Sequence, residues 1–410
     1  MPATLPDGEA VPESGELPAP ALRGLGSRPF GFYVHVPFCV TRCGYCDFNT
    51  YTGDELGPGA SPRDYADTAI AEIRMARRVL ERSGATPPRA ETVFVGGGTP
   101  TLLPPGDLVR ILRAIGDEFG LAEGAEVTTE ANPESVDEAA LAVLREGGFT
   151  RVSLGMQSAG EHVLRVLDRR HTPGRAAQAV REAHAAGFEH VNLDLIYGTP
   201  GESDADWRGS LAAALDAGPD HVSAYSLIVE DGTRLAARIR RGELPMPDDD
   251  VAADRYLIAD EMLTAAGLRW YEVSNWAATE AARCRHNLLY WTGGDWWGVG
   301  PGAHSHVGGT RWWNVKHPAA YSARLAQGVS PAHAREVLSE RDRAVERLML
   351  QLRLVTGHPV AEVDPAARPV VERAAADGLL DGEALAGEDR MVLTLGGRLL
   401  ADGLIRDLMV

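Results

Sequence analysis

The stretch Tyr33-Val34-His35-Val36-Pro37-Phe38-Cys39-Val40-Thr41-Arg42-Cys43-Gly44-Tyr45-Cys46 runs from a β-rich segment straight into three thiols within eight residues. In parallel α/β folds chemistry collects where strands end, so a first strand opening into a thiol loop directs attention to the ends of the strands that follow. Gly44 eases the backbone bend between the second and third thiol.

Working outward, five more β-rich runs, near 92–95, 126–130, 151–155, 190–196 and 221–228, join the first at 32–36. Segments of helical period lie near 63–83, 105–119, 135–147, 160–168, 173–186, 203–217 and 249–267. This alternation predicts parallel strands joined by right-handed crossovers. Unusual residues recur at the strand ends. Gly96-Gly97-Gly98-Thr99-Pro100 follows the second strand, Glu130-Ala131-Asn132-Pro133 ends the third, Gln157-Ser158 follows the fourth, and Asp194 sits within the fifth. An open doubly wound sheet would favour one switch-point crevice. Spread over successive strands, these residues predict an α/β protein with a partial (β/α)6 TIM-like barrel over residues 29–250.

Around that barrel, 1–28 reads as a disordered leader rich in Pro, Gly, Ala and Glu. Seven of the eight tryptophans fall between 270 and 313, and the segment 251–330 that holds them is expected to close the barrel's open side. A loop is expected near 325–340. Residues 331–410 read as a small helical, winged-helix-like domain: two helices, an extended pair around 391–394 and a helix over 397–408. Its acidic residues, Asp364, Glu372, Asp377, Asp381, Glu383, Glu388 and Asp389, argue for a packing role rather than DNA binding.

Forty Lys plus Arg against 58 Asp plus Glu give a net charge of −18, which argues against a general nucleic-acid binder. Lys316 is the only lysine, so no Walker-type phosphate loop exists and a Schiff base could form only there. No apolar run reaches the roughly 18 residues of a membrane span, and no secretory signal is present. The four cysteines, Cys39, Cys43, Cys46 and Cys284, are too sparse for a disulfide framework, which points to a reducing, cytoplasmic setting. Structural zinc usually takes four ligands, whereas a four-iron cluster on three cysteines keeps one iron open. His35 or Asp47 could supply a fourth zinc ligand, and zinc stays open on these residues alone.

The run into C-x-x-x-C-x-x-C, followed by Asp47-Phe48-Asn49 and then GGGTPT, resembles the radical S-adenosylmethionine (SAM) superfamily in its coproporphyrinogen dehydrogenase-like branch, over residues 30–400. The resemblance implies a [4Fe-4S] cluster on Cys39, Cys43 and Cys46, with one iron open to the amino and carboxylate groups of SAM and reductive formation of a 5′-deoxyadenosyl radical. It further implies SAM contacts from Tyr33, Gly97, Gly98, Thr99, Glu130, Gln157, Arg169 (beside Arg170 and before His171) and Asp194, with Ile228 on the adenine side. An aspartate inside an apolar strand is costly without a partner, which favours a ligand role for Asp194.

Two functional classes share this branch. The dehydrogenases carry a fourth cysteine two places after the third, and here that place is Phe48; they also have a longer structured arm before the cluster. Cys46-Asp47-Phe48-Asn49 and the HNxxYW run His286-Asn287-Leu288-Leu289-Tyr290-Trp291 are similar to the heme-chaperone type. The resemblance therefore implies heme as a further ligand and, as partners, an electron donor and a heme-acceptor protein that could sit at the membrane. His286 is the axial-ligand candidate, with a loop-ordering role as its alternative. Cys284 could ligate as a thiolate, although a lone buried cysteine is more often inert. His304 and His306, in the Gly-rich segment Gly298-Val299-Gly300-Pro301-Gly302, are expected to serve local structure first.

Overall fold

Six parallel strands, β1 Phe30–Val36, β2 Ala90–Gly97, β3 Leu121–Ala131, β4 Arg151–Gln157, β5 His190–Tyr197 and β6 His221–Ser226, lie side by side in chain order. The computed structural model describes residues 7–53, 56, 60–169 and 172–409. Each strand alternates. Phe32, Val34, Val36, Val93, Val95, Val152, Leu154, Leu193, Leu195 and Val222 are buried in one apolar core with the crossover helices. Phe32, for example, meets Phe119 of the helix Pro105–Phe119 edge to face at 4.8 Å. The intervening residues point to the other face. There Tyr33, Phe94, Glu130, Ser153, Asp194 and Tyr225, one from each strand, line a single cavity of about 190 Å³. Only a curled sheet brings its first and sixth strands onto one cavity, so the α/β partial barrel stands as the sequence predicts.

The helices begin where their caps dictate. Ser203 and Asp206 form a reciprocal capping box at the start of Asp204–Ala217, and Asp137 caps Glu138–Glu146.

The sheet does not end at six strands. β7 Arg269–Glu272 and β8 Asn275–Ala277 extend it antiparallel beyond β6. On the other side β9 Asp295–Val299 pairs parallel to β1, and β10 His304–Val307, β11 Thr310–Asn314 and β12 Ala332–Val337 follow antiparallel. The tryptophan-rich segment thus passes from a strand beside β6 to a strand beside β1, and the helix Arg285–Trp291 lies between them against β1 and β2.

Three expectations change. Residues 332–337, read as loop, form the edge strand β12; Ala-His-Ala-Arg-Glu-Val is too short and charged to announce itself without β11 as template. Residues 7–28, read as a disordered leader, pack on the barrel. Glu9 forms a bridge with Arg335 on β12 and ion-pairs with it at 2.6 Å, while Val11, Leu17, Leu22 and Leu25 lie against the core. Those four apolar residues, scattered through a Pro- and Gly-rich stretch, supply the contact that composition hides. In the C-terminal domain the extended pair is β13 His358–Pro359 with β14 Arg390–Met391, and the last helix divides into Leu395–Leu399 and Ala401–Leu408. Gly396 and Gly397 weaken the helix just before that break. The domain has its own apolar core and docks on the barrel through Arg398, which ion-pairs with Asp260 at 2.9 Å and lies 3.8 Å from the Trp270 ring centroid.

Candidate functional site

The three thiols follow β1 on a loop tied to its neighbours through backbone bonds. Cys39 N–H donates to Tyr51 O, and Cys46 N–H to Cys43 O. All three cysteines are free and partly exposed. They are close enough to act on one another electrostatically. Desolvation first and the neighbouring Cys46 second push Cys39 up to about 11, and desolvation and Cys43 likewise raise Cys46. The side chains of Thr99 and Thr50 bond the Cys39 thiol and oppose that rise.

Gly96, Gly97 and Gly98 are needed for three different reasons. A Cβ on Gly96 would lie 2.8 Å from the Glu130 carboxylate, one on Gly97 2.5 Å from the His35 ring, and one on Gly98 2.5 Å from Phe38 O. Gly97 also has φ 112°, a conformation that side chains disfavour. Gly98 and Thr99 N–H groups donate to Val36 O and Phe38 O, which seats this turn against the thiol loop. Gly97 N–H donates to Glu130 Oε2 at 2.9 Å. Gly44 is also a close-approach glycine: its Cβ would meet Asp168 at 2.5 Å, and Asp168 has φ 54°.

Arg169 links this loop to the end of β4. Its Nη1 lies 3.5 Å from Cys43 Sγ and Nη2 donates to Gly155 O at 3.0 Å, leaving Nε buried without a partner. Arg170 and His171 lie outside the described residues. Gln157, with φ 66°, closes β4 in a left-handed conformation rare for a non-glycine residue.

Deeper in, Tyr33 donates or accepts with His35 Nδ1 at 2.9 Å and stacks on Phe94. His35 Nε2 bonds Asn49 O, so both His35 nitrogens are engaged and this residue is no fourth metal ligand. Among the described residues no cluster of His, Cys, Asp or Glu closes on a point that would hold a single metal ion. Asp194 is better provided for than its sequence context suggests: Oδ2 accepts from Ser153 and Oδ1 from Asn192, both at 2.7 Å. Desolvation and the Asp194 charge push Glu130 up to about 8, and desolvation raises Asp194 too. Two neighbouring buried carboxylates fit a positively charged ligand, and three thiols on one short loop offer the donors for a group that takes three thiolates.

Ile228 lies beyond the end of β6, 66% exposed and outside the cavity wall. The strand ends at Ser226, and the buried Leu227 packs with Val163, Leu167, Ile196 and Leu235.

His286 lines the cavity but is only 1% exposed. Nδ1 bonds Thr92 Oγ1 and Nε2 bonds Tyr290 OH, each at 2.8 Å, and the ring stacks on Phe94. Burial lowers its pKa to about 3, so the imidazole is neutral. Cys284 is buried and its thiol is pushed far up by desolvation. His306 serves local structure, bonding Gly294 O and Gly309 N–H, while His304 stacks on Trp313.

Sequence reasoning misses the residues that hold these pieces. Glu126 accepts the N–H groups of Arg285 and His286. Glu72 accepts from Gly300 N–H, Asn314 and Tyr321 and fixes the Gly300-Pro301-Gly302 turn. Asn192, His221 and Tyr271 form a chain of hydrogen bonds under Asp194. The period-two run Glu126-Val127-Thr128-Thr129-Glu130, with polar residues on the inward face, was the available signal for the first.

The sequence pattern of the Radical SAM superfamily matches residues 33–214, spanning β1 to the helix after β5. Fold, thiol loop and glycine turn together define a radical SAM protein. The chain is 54% identical to the heme chaperone HemW of Mycobacterium tuberculosis, over 95% of its own length and 97% of that protein. It is 33% identical to HemW of Escherichia coli, over 86% and 92% of the two chains. The chain belongs to the HemW family. Its fold also matches the solved structure of coproporphyrinogen III oxidase (HemN) from Escherichia coli with a TM-score of 0.79, at 22% identity, over 95% of this chain and 92% of that one. Membership of the superfamily implies a [4Fe-4S] cluster and SAM.

Proposed function

We propose that this protein is a heme chaperone of the cytoplasm, binding a [4Fe-4S] cluster, SAM and heme and delivering heme to an acceptor protein. The observation that carries this reading is the 54% identity to a heme chaperone across nearly the whole of both chains. Phe48, standing where the dehydrogenases have a further cysteine, supports it over oxidative decarboxylation of coproporphyrinogen III. No helix among the described residues is long and apolar enough to cross a membrane. A heme-acceptor protein at the membrane and a separate electron donor belong to this reading as partners.

Cys39, Cys43 and Cys46 would hold the cluster, and Tyr33, Gly97, Gly98, Thr99, Glu130, Gln157, Arg169 and Asp194 would hold SAM. When bound, the cluster supplies one-electron reduction at its open iron. The chain's own work is placement. The bare backbone of Gly97 and Gly98 admits a ligand close to β2, Glu130 and Asp194 offer negative charge to a cationic ligand, and Arg169 keeps a guanidinium beside Cys43.

His286 is the proposed heme ligand. Thr92, bonded to Nδ1, would orient the ring, and Nε2, bonded to Tyr290 OH, would be the nitrogen offered to a heme iron. The cavity of about 190 Å³ is below the roughly 300 Å³ at which drug-sized sites begin, so ligation requires the helix Arg285–Trp291 to move outward.

The test is a heme titration beside a coproporphyrinogen III assay on one anaerobic, reconstituted preparation. Saturable heme binding without turnover is expected. Conversion to protoporphyrinogen IX with turnover overturns the chaperone reading.

A further inference from the structure

The inner wall of the barrel is polar well below the level of Glu130 and Asp194. Arg151 starts β4, four residues before Gly155, the register partner of Asp194, which places it about 13 Å further down the strand. Its side chain lines the cavity and is 1% exposed. Nη1 donates to Ala282 O at 2.7 Å, and Nη2 has no hydrogen-bond partner. Desolvation opposes the charge of this guanidinium, and Cys284, Glu126, Tyr271 and Asp220 nearby outweigh it, but none of them supplies Nη2 with a hydrogen bond.

Two carboxylates close enough to act on this guanidinium are held by other donors. Both oxygens of Glu126 accept backbone N–H groups of the helix Arg285–Trp291, and both oxygens of Asp194 are held by Ser153 and Asn192. The guanidinium is therefore compensated in charge, but a buried N–H left without an acceptor still costs the fold free energy. A second unsatisfied atom sits next to it. Thr128, the register partner of Arg151 on β3, is fully buried in the same cavity wall and its hydroxyl also lacks a partner. Two orphaned donors on paired positions of adjacent strands thus converge on one cavity floor.

We propose that this floor is a binding site for a small carboxylate, held by the Arg151 guanidinium and the Thr128 hydroxyl. The planar fork of arginine matches two coplanar carboxylate oxygens and discriminates against a spherical anion. A cavity of about 190 Å³ admits a carboxylate of a few carbons and no porphyrin. The site needs neither the cluster nor SAM, so it stands or falls apart from the heme-chaperone reading.

The test uses the full chain, purified in Tris chloride, with sodium acetate and sodium propionate as probes and sodium chloride at equal ionic strength as control. Saturation-transfer NMR and the thermal midpoint report binding. Acetate should raise the midpoint above the chloride control and show saturation transfer. Thr128→Val should weaken acetate at least threefold, and Arg151→Lys, which keeps the charge and loses the fork, at least tenfold. Circular dichroism checks that both variants are folded; Thr128→Val removes only a hydroxyl and serves if Arg151→Lys does not fold. No saturation transfer in the wild type, an equal midpoint rise with chloride, or folded variants that bind acetate as the wild type does would each overturn the site.

Discussion

The Glu126 carboxylate on the third barrel strand accepts the backbone N–H of His286 at 2.9 Å, and its other oxygen accepts that of Arg285 at the same distance. One side chain from the barrel wall therefore anchors the first turn of the helix that carries the HNxxYW run, and Cys284 Sγ leans on the same carboxylate at 3.6 Å. The barrel and the candidate heme residue are joined at this point rather than through the loop sequence.

Replacing Glu126 by Ala leaves these donors without an acceptor, at a cost of about 1–3 kcal/mol. Chemical denaturation should show that loss, and hydrogen exchange should rise over residues 285–291 while the strands stay protected. Glu126→Gln, which keeps one acceptor oxygen, should fall between the two.

His286→Ala should weaken heme binding about tenfold and shift the Soret band, with cluster absorbance unchanged. Tyr290→Phe, which frees Nε2 without touching the ring, should leave heme affinity equal or higher. Unaltered spectra in His286→Ala would move the axial ligand elsewhere.

Cys43→Ala should abolish the iron and sulfide content of anaerobically reconstituted protein, because three thiolates are the whole donor set on that loop. Cys284→Ala should not, since its thiol is buried and held protonated by desolvation. Equal loss in both would refute the ligand assignment.

Glu130 sets a pH dependence whose sign follows from its shift. Its folded-state carboxyl is raised from 4.5 to about 8, by desolvation first and Asp194 second. Between those values the folded protein keeps a proton that the unfolded chain has released, so this group lowers stability progressively as pH rises through the window and adds nothing further above it. Binding of cationic SAM beside Glu130 should expel that proton, so affinity should climb with pH up to about 8, by at most roughly tenfold per unit. Glu130→Gln should flatten both slopes; a calorimetric titration at pH 6, 7 and 8 reads the second.

All six barrel strands and seven of the eight α-helices between Pro62 and Ala265 were legible in the sequence because period-two and period-3.6 patterns are local properties, as at Phe30–Val36 and Pro62–Arg82; only the short helix Arg234–Arg240 was not read. The thiols and the glycine turn were legible because few other roles use such residues at such spacing. Other features depend on distant partners. β12 exists by virtue of β11, residues 7–28 are placed by Arg335 and the core, and Asp194 is satisfied by Ser153 and Asn192, which precede it by 41 and 2 residues. The sixth strand was read two residues too long, to 228, because nothing local marks its end at Ser226.

The crowding of seven of the eight indoles into residues 270–313 has a practical consequence. Trp296 touches Tyr290, which touches His286, and only Trp207 lies far off in sequence. The protein's ultraviolet emission is therefore weighted toward this neighbourhood, and a strongly absorbing chromophore arriving there would dim it. The molecule carries its own optical gauge of loading and release, with no added dye.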